Sequence, residues 1–483
     1  MIDMLSYIAI VGLAVQAFIG LAFLISSVWE KEKRATIFGG IQFLGMLGLL
    51  VLFTYWQAGG FFATDIGTIV LIIFFIAAVG GAVACVRRTP ANQRALKGTN
   101  GLIVGDVERF DESRHVFARN RALIPGSDPY KAFYQKHPEL EGGDAARREK
   151  GGPLGHPGTI DRPHDGPNVA ATFASLSLCM WLSTLDKVKP QAHPECKGRT
   201  IELSPQAASA RVKGFAKRIG AALVGITEIN PLWVFSHKGE IFHENWEDWG
   251  KPLKTDHKYA IVCAEEMNFE MIGSAPHTPT VMESMGAYAR GAFIAAQLAN
   301  FVANLGYSAT ANQLRYYEEL LVPLAVDAGL GEAGRLGYLL TKKYGPRVRL
   351  SAVTTDLPLT ADKPIDIGVE DFCKICKKCA VCCPSKSIPL DDQKEVNGTL
   401  RWKLNAETCF DYWGKVGTDC NVCMKVCPWS HANTLPHQLI KWLVSRNSLS
   451  RRLFAVMDNI FYGTRPKARP APQWAQFGAF KPQ

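Results

Sequence analysis

Five cysteines fall within the eleven residues from Cys373 to Cys383, and Pro384 closes the run. Cys373, Cys376, Cys379 and Cys383-Pro384 keep the spacing C-x2-C-x2-C-x3-C-P, with which bacterial ferredoxins hold cubane clusters. Thiolates suit iron because they are soft and strongly donating, and the metal itself displaces their protons. A second set follows in Cys420, Cys423 and Cys427-Pro428, with Cys409 ten intervening residues upstream. In two-cluster ferredoxins the fourth cysteine of each run crosses to the other cluster. The spacing therefore assigns Cys373, Cys376, Cys379 and Cys427 to one [4Fe–4S] cluster. Cys409, Cys420, Cys423 and Cys383 take the other, and Cys382 is left as a buried free thiol. Zinc would use the same residue type, but two complete four-ligand sets with Cys-Pro endings favour iron–sulfur. The remaining four of the 13 cysteines, Cys85, Cys179, Cys196 and Cys263, are scattered and read as small buried apolar residues.

Two adjacent clusters form an electron relay, and a relay needs an acceptor. No Gly-rich phosphate loop follows a strand here, and no dinucleotide fingerprint stands out. The net charge of +10 suits an anionic membrane face or an acidic partner, and nothing resembles a nucleic-acid module.

Other elements must position the array. Residues 4–29, 35–64 and 66–86 carry no charge, and each run meets the roughly 20 apolar residues needed to cross a bilayer. Three spanning helices are expected. Lys31, Lys33 and Arg34 fill the first loop, and Arg87, Arg88, Arg94 and Lys97 follow the third helix. The positive-inside bias puts both segments, and all that follows, in the cytoplasm of a bacterial inner membrane. No twin-arginine pair precedes the first helix, so folded export is not expected. Residues 98–170 are rich in Gly, Pro and charge and read as an irregular connector. Beyond it, Ser204-Pro205 opens a helix, and "AALVGITEI" and "YAIVCAEEM" read as buried strands. Thr280-x-x-Glu283 has the form of a capping box that opens a long helix ending near Gly306. This alternation predicts an α/β or α+β domain. The expected organisation is an anchor at 1–88, a connector at 89–170 and a catalytic domain at 171–360. A ferredoxin-like domain at 361–430 and a helical extension at 431–483 complete it.

The block from "VPLAVDAGLGEAGRLGYLL" to "DFCKICKKCAVCCPSKSI", residues 322–388, strongly resembles the corrinoid-dependent reductive dehalogenases, and the likeness spans roughly Pro157 to the C-terminus. "SSVWEKEKRA" resembles the first loop of that family's small membrane anchor, with Glu30 and Glu32 as its Glu-x-Glu. The resemblance implies anchor and catalytic subunit in one chain, and a corrinoid-binding domain related to flavin-type reductases with a two-[4Fe–4S] insert. It implies a cobalamin that reductively removes halogen from an organohalide. No histidine sits in an Asp-x-His-x-x-Gly context, so a base-off corrinoid follows.

By the same resemblance Tyr288, in "MGAYARGAF", is the proton donor, and Arg349, in "YGPRVRL", eases the proton's departure. A third polar group is Asn312 or Arg315, in a segment longer than the relatives'. Gly329, Gly331 and Gly334 place backbone against the corrinoid. Lys374, Lys377, Lys378, Lys415 and Lys425 read as a solvated basic face around the cysteines. Electrons come from ferredoxin or flavodoxin, or from a membrane quinol near Glu30 and Glu32. The alternatives are a corrinoid reductase resembling epoxyqueuosine reductase, and a membrane ferredoxin-type electron carrier.

Overall fold

The computed structural model describes residues 2–156, 158–163, 165–240 and 248–476. Its N-terminal third begins with α1 (Ile2–Trp29), α2 (Lys33–Ala58) and α3 (Asp65–Val86), each long and apolar enough to cross a membrane. At 1.5 Å per residue all three exceed the roughly 30 Å hydrocarbon core. Gly60, at φ 71°, helps the chain reverse after α2, and the Thr64 hydroxyl accepts from the Gly67 amide to cap α3.

The soluble body is built on a four-stranded sheet of β1 (Leu223–Glu228), β2 (Tyr259–Glu266), β3 (Ala309–Asn312) and β6 (Val348–Thr355). The order is β1-β2-β6-β3 and every pairing is antiparallel, which makes the domain α+β. Ile226, Ile261, Val353 and Ala311 lie in register across the sheet and face one helical layer, that of Pro205–Arg218 and Thr278–Asn304. Alternate residues such as Val262, Ala264 and Ala352 face the short helix Leu321–Asp327. Both faces are therefore buried, which is why the strands read as continuous apolar runs. Each fully buried Ile or Val contributes about 2 kcal/mol. A short pair, β4 (Glu332–Ala333) with β5 (Leu339–Leu340), and a hairpin of β7 (Lys394–Val396) with β8 (Thr399–Arg401), complete the strands among the described residues. Asn397 and Gly398 turn that hairpin with positive φ at both positions.

Several sequence expectations hold. Ser204 caps its helix by accepting from the Ala207 amide, and the two strand readings fall on β1 and β2. Three need correction. The long helix starts at Thr278, so Thr280 is a buried interior residue, and Glu283 instead accepts from the Asn268 amide and pairs with Arg290. The expected irregular connector carries three helices, Val116–Ala122, Asp128–Lys136 and Pro138–Lys150. A buried Arg119–Asp144 ion pair joins the first and third, and the Tyr134 hydroxyl of the second donates to Asp144 at 2.9 Å. Of the four scattered cysteines only Cys179 and Cys263 are buried.

The last two helices, Leu435–Arg446 and Ser448–Tyr462, join the spans to the body. The Asn447 side chain donates to the carbonyls of Ala84 and Arg87, at 2.8 and 2.5 Å, and Ser450 donates to that of Cys85. Ser26 meets Thr434 at 2.9 Å, and Trp29 stacks on Phe269. One face of the final helix is buried, yet Leu449, Leu453, Val456 and Ile460 line up exposed on the other.

Candidate functional site

Left-handed residues fold the cysteine runs together. Lys377 (φ 52°) separates the short helices Val369–Cys376 and Lys378–Cys382, and Cys420 and Asn421 precede Val422–Lys425 in the same conformation. Lys378–Cys382 then packs against Val422–Lys425. Burial pushes the Cys427 thiol well up, with Cys379, Cys373 and Cys376 beside it adding to the shift. Burial, with Cys383 beside it, pushes Cys409 up to about 11. Cys420 rises to about 12, chiefly by burial, with Cys409 and Cys383 nearby. Cys423 is raised by burial and by Cys420 and Cys409. Cys427 thus has the first three thiols as neighbours, and Cys383 neighbours Cys409, Cys420 and Cys423, the last of which also has Cys379 nearby. Thiols crowded out of water resist ionisation until a metal takes the proton's place, so the donor set fits two clusters. Cys382 stands outside both groups, its Sγ 3.2 Å from the Thr464 carbonyl, and is half-buried rather than buried.

A cavity of about 880 Å³ opens against the second thiol group. Tyr338, Trp413 and Asp419 line it on that side. Burial pushes Tyr338 far up, with Cys409 and Cys423 adding to the shift. Tyr288 and Arg349 stand on the same wall. Tyr288 comes from the middle of the long helix and Arg349 from β6, where it is paired with Glu265 across the sheet. The Arg349 guanidinium carbon lies 4.9 Å from the Tyr288 ring centroid. Arg349 donates to the Ser284 hydroxyl at 2.9 Å and sits 3.2 Å from the Asp419 carboxylate. Burial opposes its charge, but Tyr288 and Asp419 hold its pKa above the ordinary arginine value. A cation fixed over a phenol stabilises negative charge that develops as the proton leaves.

The other expected residues divide. Arg315, held in a left-handed backbone (φ 84°), lines the cavity, and Glu240 sits between it and Arg121 at 3.3 and 2.9 Å. Asn312 does not line it. Asn312 is fully buried, and its side-chain oxygen accepts from the Glu318 amide at 2.7 Å. Gly334 lines the cavity with Gly337, whereas Gly329 and Gly331 are packed against the chain. A Cβ on Gly329 would meet the Lys363 carbonyl at 2.4 Å, and one on Gly331 the Leu340 carbonyl at 2.1 Å. Arg347 forms a structural tie to Glu266, Met267 and Ser430. The basic face is also partly internal: Lys378 is buried against Asp458, and Lys425 donates to the Ala275 carbonyl.

Sequence reasoning missed His115, Asn120, Arg121, Tyr317 and Trp402, all on the cavity wall. The first three belong to the supposed connector, whose Gly- and Pro-rich composition hid them. Trp402 Nε1 and Asn120 Nδ2 are buried donors with no partner among the described residues. A ligand with a rim of amide carbonyls would satisfy them, and the volume is at the upper end of small-molecule sites, roughly 300–1,000 Å³. The residues fit a corrinoid.

Comparison with known proteins places these features. The 4Fe-4S dicluster domain matches residues 372–431. The tetrachloroethene reductive dehalogenase of Sulfurospirillum multivorans is 33% identical over 285 residues, 53% of this chain and 56% of that protein. The trichloroethene reductive dehalogenase of Dehalococcoides mccartyi is 30% identical over 228 residues, 45% of this chain and 39% of that protein. The chain thus spans about half the length of the first of these curated relatives, and less of the second. A solved structure of the catabolic reductive dehalogenase NpRdhA with 3-bromo-4-hydroxybenzoic acid superposes with a TM-score of 0.59 at 26% identity, covering 78% of this chain and 49% of that one. An epoxyqueuosine reductase of Cyclobacterium marinum matches only 120 residues, at 34% identity. In sequence and in fold, the chain is similar to the reductive dehalogenases over about half of their length.

Proposed function

We propose that the protein is a membrane-anchored reductive dehalogenase acting on an organohalide. One observation carries the reading: a single cavity has a phenol–guanidinium pair on its wall together with Tyr338 and Trp413, which are neighbours of the second thiol group. Cys373, Cys376, Cys379 and Cys427 would hold one [4Fe–4S] cluster, and Cys383, Cys409, Cys420 and Cys423 the other. The cavity would hold a base-off corrinoid, with Gly334 and Gly337 at its edge and Trp402 and Asn120 donating to it. When bound, the reduced corrinoid supplies the electrons that cleave the carbon–halogen bond. The overall reaction, R–X + 2e⁻ + H⁺ → R–H + X⁻, also needs a proton. Tyr288 gives it from its hydroxyl, Arg349 holds the charge left behind, and Ser284 and Asp419 fix the guanidinium. Arg315 and Tyr317, also on the cavity wall, orient the substrate.

The basic residues after α1 and α3 favour a cytoplasmic body on a bacterial inner membrane. The exposed apolar stripe Leu449, Leu453, Val456 and Ile460 supports a final helix lying on the bilayer. A plain electron carrier would have no use for the 880 Å³ cavity or its phenol.

The test is anaerobic reconstitution with iron, sulfide and cobalamin. The expected product shows a base-off corrinoid spectrum and releases halide with reduced viologen, in a screen of halogenated phenols against chlorinated alkenes. Protein that takes up iron but no corrinoid is a tethered wire, and the proposal fails.

A further inference from the structure

A second cavity, of about 560 Å³, lies between the membrane helices and the first thiol group. Phe23 of α1 and Gln42 of α2 stand on its membrane side. Phe372 and Trp429, which pack in the same core as Cys373, Cys379 and Cys427, stand on the other. His431 and His437 line it too, and both meet Glu30, the residue that follows α1. Each of the three offers one ligand atom, and these atoms lie within 4.8 Å of one another. Glu30 Oε1 stands 3.3 Å from His437 Nδ1. Two ligands of one tetrahedral zinc ion have that separation, because bonds of about 2.0–2.1 Å set the edge at about 3.3–3.4 Å.

The surroundings are those of a metal site rather than of a chance contact. An imidazole that binds a metal is ordinarily fixed through its other nitrogen by a hydrogen-bond partner, often a carboxylate. Both imidazoles have such a support. His431 Nε2 meets the Asp458 carboxylate at 2.6 Å, and Lys378 holds the second oxygen of that carboxylate. His437 Nε2 meets the Tyr462 hydroxyl at 2.9 Å, and that hydroxyl reaches Glu30 at 3.3 Å. Nδ1 of each ring is then left for an ion. His437 Nδ1 would give up its bond to Thr434 at 2.8 Å, whose hydroxyl keeps Ser26 at 2.9 Å. Glu30 is 3% exposed, and burial raises its carboxyl while it lowers the imidazole of His437. A neutral imidazole is the form that ligates, and a divalent ion offsets the cost of a buried carboxylate. The neighbouring cations are already engaged: Lys441 donates to the carbonyls of Lys343 and His431, and Arg469 pairs with Glu32 at 3.4 Å.

We infer that Glu30, His431 and His437 hold a zinc ion that ties the end of α1 to the soluble body. Two imidazoles and a carboxylate suit zinc and leave its fourth position to water from the cavity. The ligands come from the end of the first span, from the segment after Cys427 and from the helix Leu435–Arg446. One ion therefore joins the anchor to the stretch that carries the last cluster cysteine. Zinc has no redox chemistry, so the clamp is structural and stands whether or not the chain dehalogenates.

The test is elemental analysis of the full chain, purified in detergent from zinc-supplemented cells, together with zinc K-edge X-ray absorption. One zinc per chain is expected beyond the cluster iron, with imidazole scattering, nitrogen and oxygen neighbours at about 2.0–2.1 Å and no sulfur at about 2.3 Å. His437→Gln and Glu30→Gln should each abolish zinc uptake at unchanged iron content, and Glu32→Gln should retain zinc. Asp458→Asn should weaken zinc affinity by about 10-fold or more, as for loss of a carboxylate behind a ligating imidazole. His437→Cys should restore zinc and bring a single sulfur into its shell, which a merely structural histidine would not do. The inference is overturned by wild-type protein without stoichiometric zinc, by zinc bound through sulfur in the wild type, or by full zinc in His437→Gln. If the variants lose iron and fold together, the wild-type zinc content and its scattering still decide.

Discussion

The two cavities flank the same cysteine core yet are built from opposite materials. The larger, beside the second thiol group, pairs a phenol with a fixed guanidinium, so its wall favours giving a proton away. The smaller, beside the first thiol group, sets imidazoles against a buried carboxyl, and burial raises the Glu30 carboxyl while it lowers the His437 imidazole. Reducing a carbon–halogen bond consumes a proton, and the larger cavity sets a phenol beside a fixed cation to give it.

The largest expected effect comes from the phenol. Tyr288→Phe should lower viologen-driven dehalogenation by about 100-fold or more, at unchanged iron and corrinoid content. Full activity in that variant would take the phenol out of the chemistry and break the comparison. Next is the first thiol group: Cys427→Ser should reduce bound iron by about half, as measured by iron analysis. If iron stays complete, Cys427 belongs to neither group. Smaller still is a buried carboxyl that lines neither cavity. Burial raises Glu265 to about 8. A carboxyl raised above its unfolded value near 4.5 costs stability progressively as pH rises from there toward 8, and nothing below. Glu265→Gln should therefore raise Tm by a few degrees at pH 8 and leave it unchanged near pH 4.5. Parallel curves at both pH values would mean that burial does not raise this carboxyl. The smallest effect is none: Cys382→Ser should leave iron content at the wild-type value, and a loss would put Cys382 among the ligands.

Much of this architecture was legible because it depends on local patterns. Charge-free runs announced α1 to α3, and the C-x2-C-x2-C-x3-C-P spacing marked the thiol array on its own. Strands buried on both faces read as apolar runs, and Ser204-Pro205 read as a cap. Asn397-Gly398 was an equally local hairpin signal, and the reading passed over it. What stayed hidden depends on contacts between distant segments. Nothing near Asn312 reveals that its amide is spent on the Glu318 backbone, nor that Arg315 takes the cavity position. Thr280 mimicked a cap because the true helix start, at Thr278, lies two residues earlier. The hydrogen-bond chain joins Glu30 to residues more than 400 positions away, a distance no motif spans. His431 and His437 offered only a pair of histidines after the last Cys-Pro.

The seam between the last two helices and the ends of the spans also bears on how this protein can be handled. Asn447 and Ser450 hold the carbonyls that close α3, and Phe23 and Gln42 complete a wall that the soluble half lacks. Cutting the chain near Arg88 to obtain a water-soluble enzyme would strip that seam bare. It would add fresh greasy surface to a final helix that already shows four aliphatic side chains. The trimmed protein would still cling to detergent, and it would have lost the chamber that α1 and α2 help to wall.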